Sequence, residues 1–186
     1  MTFHLHIKGR VQGVGFRPHV YRSALKKNVF GYVNNGADGV HVIFNHTCRT
    51  NAETFVEELL HRAPSRSIIQ SYLLQEADEQ NFNRFSICVG EDDAEPDLLI
   101  SPDFAMCGQC RDEFHDKTNR RYQYPFITCT ICGPRYSVMS ELPYERHLTT
   151  MSHFHQCAQC LDEYRDANDR RYFSQTNSCA SCGVHL

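Results

Sequence analysis

The chain is predicted to be an α+β protein in two parts, a small sheet with two helices followed by two metal-bound modules. Three observations predict it. Residues 1–90 switch between stretches of period two and stretches of helical period. Eight of the ten cysteines fall in four Cys-x-x-Cys pairs, none of them before residue 107. Those pairs form two sets, and every cysteine of the second set lies 50 residues after its counterpart. The predicted parts are residues 1–90, a linker over 91–104, a first module over 105–134, a connector over 135–154 and a second module over 155–186.

Taken in order, Phe3-His4-Leu5-His6-Ile7 alternates apolar and polar and reads as a strand. Gly9 to Arg17, GRVQGVGFR, follows as a glycine-rich turn. Phe16, Val20, Ala24 and Leu25 then recur at helical spacing through Lys27, and Pro18 suits the first turn of a helix. A strand-to-helix turn of this kind aims backbone N–H groups at one point, with the helix N-terminus behind them. Gly13 and Gly15 let the backbone approach a ligand closely. Arg17 adds a planar fork that suits two phosphate oxygens at once. Gln12, Gly13, Val14, Gly15, Phe16 and Arg17 are therefore the candidate oxyanion cradle. The turn is not a Walker A loop, because no Gly-Lys-Ser/Thr follows, nor a dinucleotide fingerprint, because Pro18 stands where a third glycine would be. On spacing alone, a tight connection with a surface arginine reads the same residues equally well.

Val29 to Val33 is the next strand, Asn35 to Gly39 a turn with Asn-Gly as its hairpin signal, and Val40 to Phe44 the returning strand. Asn51 is the expected N-cap of a second helix with Phe55, Leu59 and Leu60 on its apolar stripe, ended by Pro64. Ile68 to Leu74 and Phe85 to Val89 are further strands. The order is βαββαβ with one strand to spare. That is the split βαβ, ferredoxin-like arrangement, an antiparallel sheet with two helices on one face. Glu91 to Asp97 is acidic, holds Pro96, lacks an apolar pattern and reads as linker.

Cys107, Cys110, Cys129 and Cys132 make the first set of thiols, and Cys157, Cys160, Cys179 and Cys182 the second. Arg120-Arg121-Tyr122 recurs as Arg170-Arg171-Tyr172, Asp112-Glu113 as Asp162-Glu163, and Gly133 as Gly183. Four thiolates in a closed tetrahedral array suit a structural zinc ion, so two zinc ions are expected. Iron, and a pairing crossed between modules, stay open at this point. With little apolar sequence in either module, metal binding is expected to drive folding. His115, His147, His153 and His155 read as surface or structural histidines. The paired arginines read as partners of acidic residues in their own module, at its surface. Tyr122, Tyr124, Phe126 and Tyr172 read as aromatic packing. Cys48 and Cys88 read as small apolar residues in or near strands.

The chain's 186 residues are 41% hydrophobic and 22% charged, ordinary for a globular protein. A formal charge of -3 gives no general attraction to nucleic acid or to an anionic membrane. No apolar run is long enough to span a bilayer, and the first residues lack the layout of a signal peptide. A cytoplasmic chain with metal-bound rather than disulfide-bonded cysteines is expected.

GRVQGVGFR followed by GYVNNGADGVHV resembles the signature pair of the acylphosphatases. The resemblance implies the ferredoxin-like fold, phosphoryl binding by the glycine loop and Arg17, and an attacking water held by Asn35. Asn34 stands where many acylphosphatases carry a basic residue. RRYQYPFITCTICGPRYS, LPYERHLTTM and CLDEYRDANDRRY are similar to the finger region of the hydrogenase maturation carbamoyltransferases, the HypF family. Phe173, Thr176 and Val184-His185 depart from that family's pattern, near the second module's loop and exit. By resemblance, the whole family protein uses carbamoyl phosphate and ATP to carbamoylate a partner's C-terminal cysteine, toward the cyanide ligands of a nickel–iron hydrogenase. The nucleotide-binding and kinase-like domains that follow in the family are absent, so a fragment is expected, reaching its maturation partner through those domains. The step expected of this chain is hydrolysis of carbamoyl phosphate or another acyl phosphate. The alternatives are a free-standing acylphosphatase of broad specificity and an inactive zinc-binding adaptor.

Overall fold

A computed structural model describes residues 1–90 and 95–185. The acidic linker's residues 91–94 lie outside the described residues. The chain divides into two compact units, Met1–Ile100 and Ser101–Leu186.

The first unit runs β1 (Thr2–Arg10), α1 (Phe16–Lys27), β2 (Phe30–Gly36), β3 (Gly39–Asn45), α2 (Arg49–His61), β4 (Ile68–Ala77) and β5 (Phe85–Ile87). The sheet order is β4-β1-β3-β2-β5. Period two sorts its faces. Phe3, Leu5 and Ile7 of β1, Val33 of β2, and Val40, Val42 and Phe44 of β3 are buried with Phe16, Val20 and Ala24 of α1 and Phe55, Val56 and Leu59 of α2. Phe44 meets Phe55 with ring centroids 5.2 Å apart, which seats α2 on the sheet. The alternate residues of β1, His4, His6 and Lys8, are only half-buried and face the other way.

Three expectations change here. The sheet is mixed, because β5 runs parallel to β2 with Gly31 opposite Phe85. The spare strand is this short edge, whose three residues carry no direction signal of their own. Helix α2 begins two residues before Asn51, and its N-cap is Cys48. Asn51 instead donates from Nδ2 to Thr47 Oγ1 at 2.8 Å. Cys48 is thus exposed at a helix start rather than set in a strand. Cys88 follows β5, and its N–H bonds Val33 O at 2.9 Å. Part of the predicted linker also packs on the sheet unit, with Asp97 and Leu99 donating backbone N–H groups to Ala37 and Gly9.

The second unit holds two short helices, α3 (Gly108–His115) and α4 (Ala158–Arg165), each starting inside a Cys-x-x-Cys pair. The stretch 135–154, read as a connector, is packed rather than free. Arg135, Tyr144, Glu145, Thr149 and Met151 are all buried. Arg135 donates to Cys132 O at 3.0 Å and Cys129 O at 2.8 Å, closing the backbone of one Cys-x-x-Cys turn. The first module also has a core that its composition hid. Tyr124 and Ile127 bury against the thiols Cys110, Cys129 and Cys132, with Phe114, Phe126 and Ile131 around them. Tyr122, by contrast, is exposed.

Candidate functional site

In the sheet unit the glycine loop runs between β1 and α1. Gly13 and Gly15 have φ of 71° and 80°, a left-handed backbone that side chains with a Cβ rarely adopt. Gly15 is the N-cap of α1 and has no side chain to cover the helix end. Phe16 and Arg17, the first residues of the helix, are buried. Val14 is fully buried as well, so its side chain anchors the loop in the core.

Gln12 ties this loop to the hairpin. Its Nε2 donates to Gly36 O at 2.6 Å and to Gly39 O at 2.7 Å. The Gln12 side chain is therefore a brace between the loop and the hairpin. The brace holds the loop against the turn that directly follows Asn35. Along β2, Gly31, Val33 and Asn35 are buried while Tyr32 and Asn34 are not. Period two thus turns Asn35 to the helix side and Asn34 to the opposite face. Asn35 is 1% exposed, and its Oδ1 accepts no hydrogen bond among the described residues, although the residue has other interactions. His19, one turn further along α1, spends Nε2 on Leu59 O at 2.9 Å. Gly90 was not singled out from the sequence. A Cβ there would stand 1.7 Å from Asn35 O, so this glycine lets the chain pass over the asparagine.

In the second unit each set of four thiols closes on itself, and the crossed pairing does not occur. Sγ–Sγ separations are 3.8, 3.6 and 3.5 Å around Cys107, Cys129, Cys132 and Cys110. They are 3.8, 3.8 and 3.6 Å around Cys157, Cys179, Cys182 and Cys160. A tetrahedron with Zn–S bonds near 2.3 Å has edges of about 3.8 Å. The residues present fit such an ion in both places.

The paired arginines depart from expectation. They do not serve their own module. Arg120 donates to Cys160 Sγ at 3.2 and 3.3 Å, and Arg170 to Cys110 Sγ at 3.3 and 3.2 Å. Arg121 takes Glu163 in a two-pronged pair at 2.9 and 2.5 Å and donates from Nε to Ser178 O. Arg171 does the same with Glu113 and Thr128 O. These contacts map onto their counterparts by the 50-residue shift, while Arg121 adds a bond to Asn177 Oδ1 at 2.9 Å where the other copy has Ile127. The exchange leaves Arg121 and Arg171 2% and 3% exposed. Burial works against the Glu163 carboxylate, but the hydrogen bonds from Arg121 and Arg120 outweigh it and hold its pKa at about 2. A depressed carboxylate pKa means that this pair's stability is complete above the ordinary carboxylate range and is lost as pH falls toward about 2. Glu163→Ala strands a buried guanidinium and is expected to cost about 3–5 kcal/mol, read as a lower denaturant midpoint of the finger unit. Thr176, one of the departures from the family pattern, bonds Thr128 Oγ1 at 3.0 Å within the same contact.

Comparison with known proteins now decides the lineage. A family model described as Acylphosphatase matches residues 3–87, and one described as HypF finger matches residues 106–139 and 157–186. The carbamoyltransferase HypF of Synechocystis sp. is 39% identical over 151 residues, which is 81% of this chain and 19% of that protein. The chain belongs to the HypF family, matching its N-terminal region. A crystal structure of full-length HypF, in a phosphate- and nucleotide-bound form, superimposes with a TM-score of 0.91 at 37% identity, over 98% of this chain and 24% of that one. The acylphosphatase of Bacillus subtilis is 30% identical over 87 residues, 47% of this chain and 96% of that enzyme. The chain thus spans about a fifth of the length of the HypF relative it matches. The α+β fold class, an acylphosphatase-like domain followed by two four-cysteine fingers, stands as predicted. Among the described residues, no helix is long and apolar enough to cross a membrane.

Proposed function

We propose that the sheet unit hydrolyses acyl phosphates, with carbamoyl phosphate as the substrate it serves within a HypF protein. One observation carries the reading. The Gln12 side chain bonds the two carbonyls of the turn after Asn35, so the anion loop and the asparagine strand are held as one piece. The HypF relatives are named as carbamoyltransferases, which supports the choice of substrate.

In this reading the loop amides from Gln12 to Phe16 and the guanidinium of Arg17 surround the phosphoryl oxygens. They neutralise charge where the transition state concentrates it, and preorganised donors of this kind are often the largest catalytic contribution. Asn35 orients a water in line with the leaving oxygen. The water oxygen bonds to phosphorus, the bond from phosphorus to the acyl oxygen breaks, and carbamate leaves with that electron pair. The water's proton passes to a phosphate oxygen of the substrate itself, which fits the engagement of His19 elsewhere. Asn35→Ala is expected to lower kcat about 100-fold with KM little changed, because only the position of the water is lost. Phosphate release from carbamoyl and acetyl phosphate measures it.

The two four-thiol sites are assigned zinc, held by Cys107, Cys110, Cys129 and Cys132 and by Cys157, Cys160, Cys179 and Cys182. Each ion would be fully ligated by protein, so its part is structural. The wider reaction, transfer of the carbamoyl group to a hydrogenase-maturation partner in the cytoplasm, belongs to the parts of the relatives that this chain does not span. A carbamoyl phosphate turnover no faster than that of Arg17→Ala would remove the catalytic reading and leave a zinc-binding adaptor.

A further inference from the structure

The face of the sheet turned away from the helices carries a cluster of histidines. His6 and His41 are direct cross-strand partners of β1 and β3. Their rings stack with centroids 4.3 Å apart and 12° between planes. Asp38, in the turn before β3, reaches back between them. Its Oδ2 is 3.1 Å from His6 Nε2 and its Oδ1 is 2.8 Å from His41 Nε2. His4 lies one pleat along β1, with Nε2 2.9 Å from His41 Nδ1.

We propose that His6, His41 and Asp38 form a third metal site, for a divalent transition-metal ion of the zinc type. Two imidazoles and one carboxylate are a donor set that such ions favour. One ligand atom from each residue lies within 4.8 Å of the others. A tetrahedral ion with bonds of about 2.0–2.1 Å needs separations of about 3.3 Å, within reach of small rotations of these side chains. All three side chains are 17–20% exposed, which admits an ion and leaves room for water on its open side.

One feature beyond the triad points the same way. A ligating imidazole carries its proton on the other nitrogen and donates it to an outer partner. His4 supplies that partner for His41. Gly39 also borders the cluster: the close approach of Ile7 O, 2.3 Å from where its Cβ would be, requires a glycine there, and the missing Cβ would stand 3.1 Å from His6 Nε2. Gly39 meanwhile accepts from Gln12, so an ion at Asp38 would pin to β1 the same turn that the anion loop braces from within.

The test uses the whole chain with both fingers zinc-loaded. Cobalt(II) is added, excess is removed, and bound metal is counted alongside the visible spectrum. Wild type is expected to take one further equivalent, with weak nitrogen–oxygen bands and no thiolate charge-transfer band. His6→Asn and Asp38→Asn are expected to weaken that equivalent by at least about 100-fold. His4→Asn should weaken it by about 10–100-fold, as losing an outer partner does. Far-UV circular dichroism of each variant reports the fold. No further equivalent in wild type, or unchanged binding in Asp38→Asn, would overturn the site whatever the other variants do.

Discussion

Arg17→Ala is expected to lower the turnover of carbamoyl and acetyl phosphate by at least about 1000-fold. The magnitude follows from what is removed. A guanidinium set at a phosphoryl transition state is worth about 10³–10⁵ in rate, and a single oxyanion donor about 10²–10³. Arg17 is 6% exposed, so little water stands ready to take over its charge. The glycine turn owes its left-handed backbone to Gly13 and Gly15 and its tie to the hairpin to the Gln12 brace. The variant should therefore keep its circular dichroism and its two zinc ions while losing phosphate release. A variant that turns over as wild type would remove Arg17 from the site.

Chelation has the second large effect, and its form is the informative part. A structural zinc finger draws about 10–16 kcal/mol of apparent folding free energy from its metal at neutral pH. Here the arginines of each finger rest on the thiols and the glutamate of the other. Emptying one site thus removes the seat of Arg170 and Arg171, or of Arg120 and Arg121. Titration with a strong chelator is expected to release both ions in one transition rather than two. Cys110→Ser, which touches only the first site, should lower the affinity of the second. The sheet unit has a core of its own and is expected to keep its strand signal throughout. Two independent release steps, or a Cys110→Ser protein with an undisturbed second site, would count against the coupling.

Much of this was legible in the chain. Period two in Phe3 to Ile7 placed β1, because one face of that strand is buried and the other only half-buried, and the Asn-Gly turn signal with the apolar run Val40 to Phe44 placed β3. The four Cys-x-x-Cys turns announced themselves, since their spacing is set by what two sulfurs on one ion require. What escaped has physical causes. Arg121 has the acidic pair Asp112-Glu113 close by in sequence, yet it pairs with Glu163, 42 residues away. Local charge patterns cannot show that a repeat has exchanged partners. Helix α2 is capped at Cys48 rather than Asn51 because the chain enters the helix within a few residues of the end of β3, although asparagine is the better capping residue. The stretch 135–154 looked like a spacer because three of its buried groups, Arg135, Glu145 and Thr149, are polar. The histidine cluster needed the register of β1 on β3, which only the folded sheet supplies.

The reciprocal arginines also bear on ancestry. Two copies that trade identical contacts have the symmetry of a homodimer fused into one polypeptide. A lone copy would display an unmatched guanidinium pair beside an unmatched glutamate, the self-complementary surface from which such a dimer forms. The two halves are then bound to drift together, because a change at Glu113 is felt at Arg171 and not within its own copy.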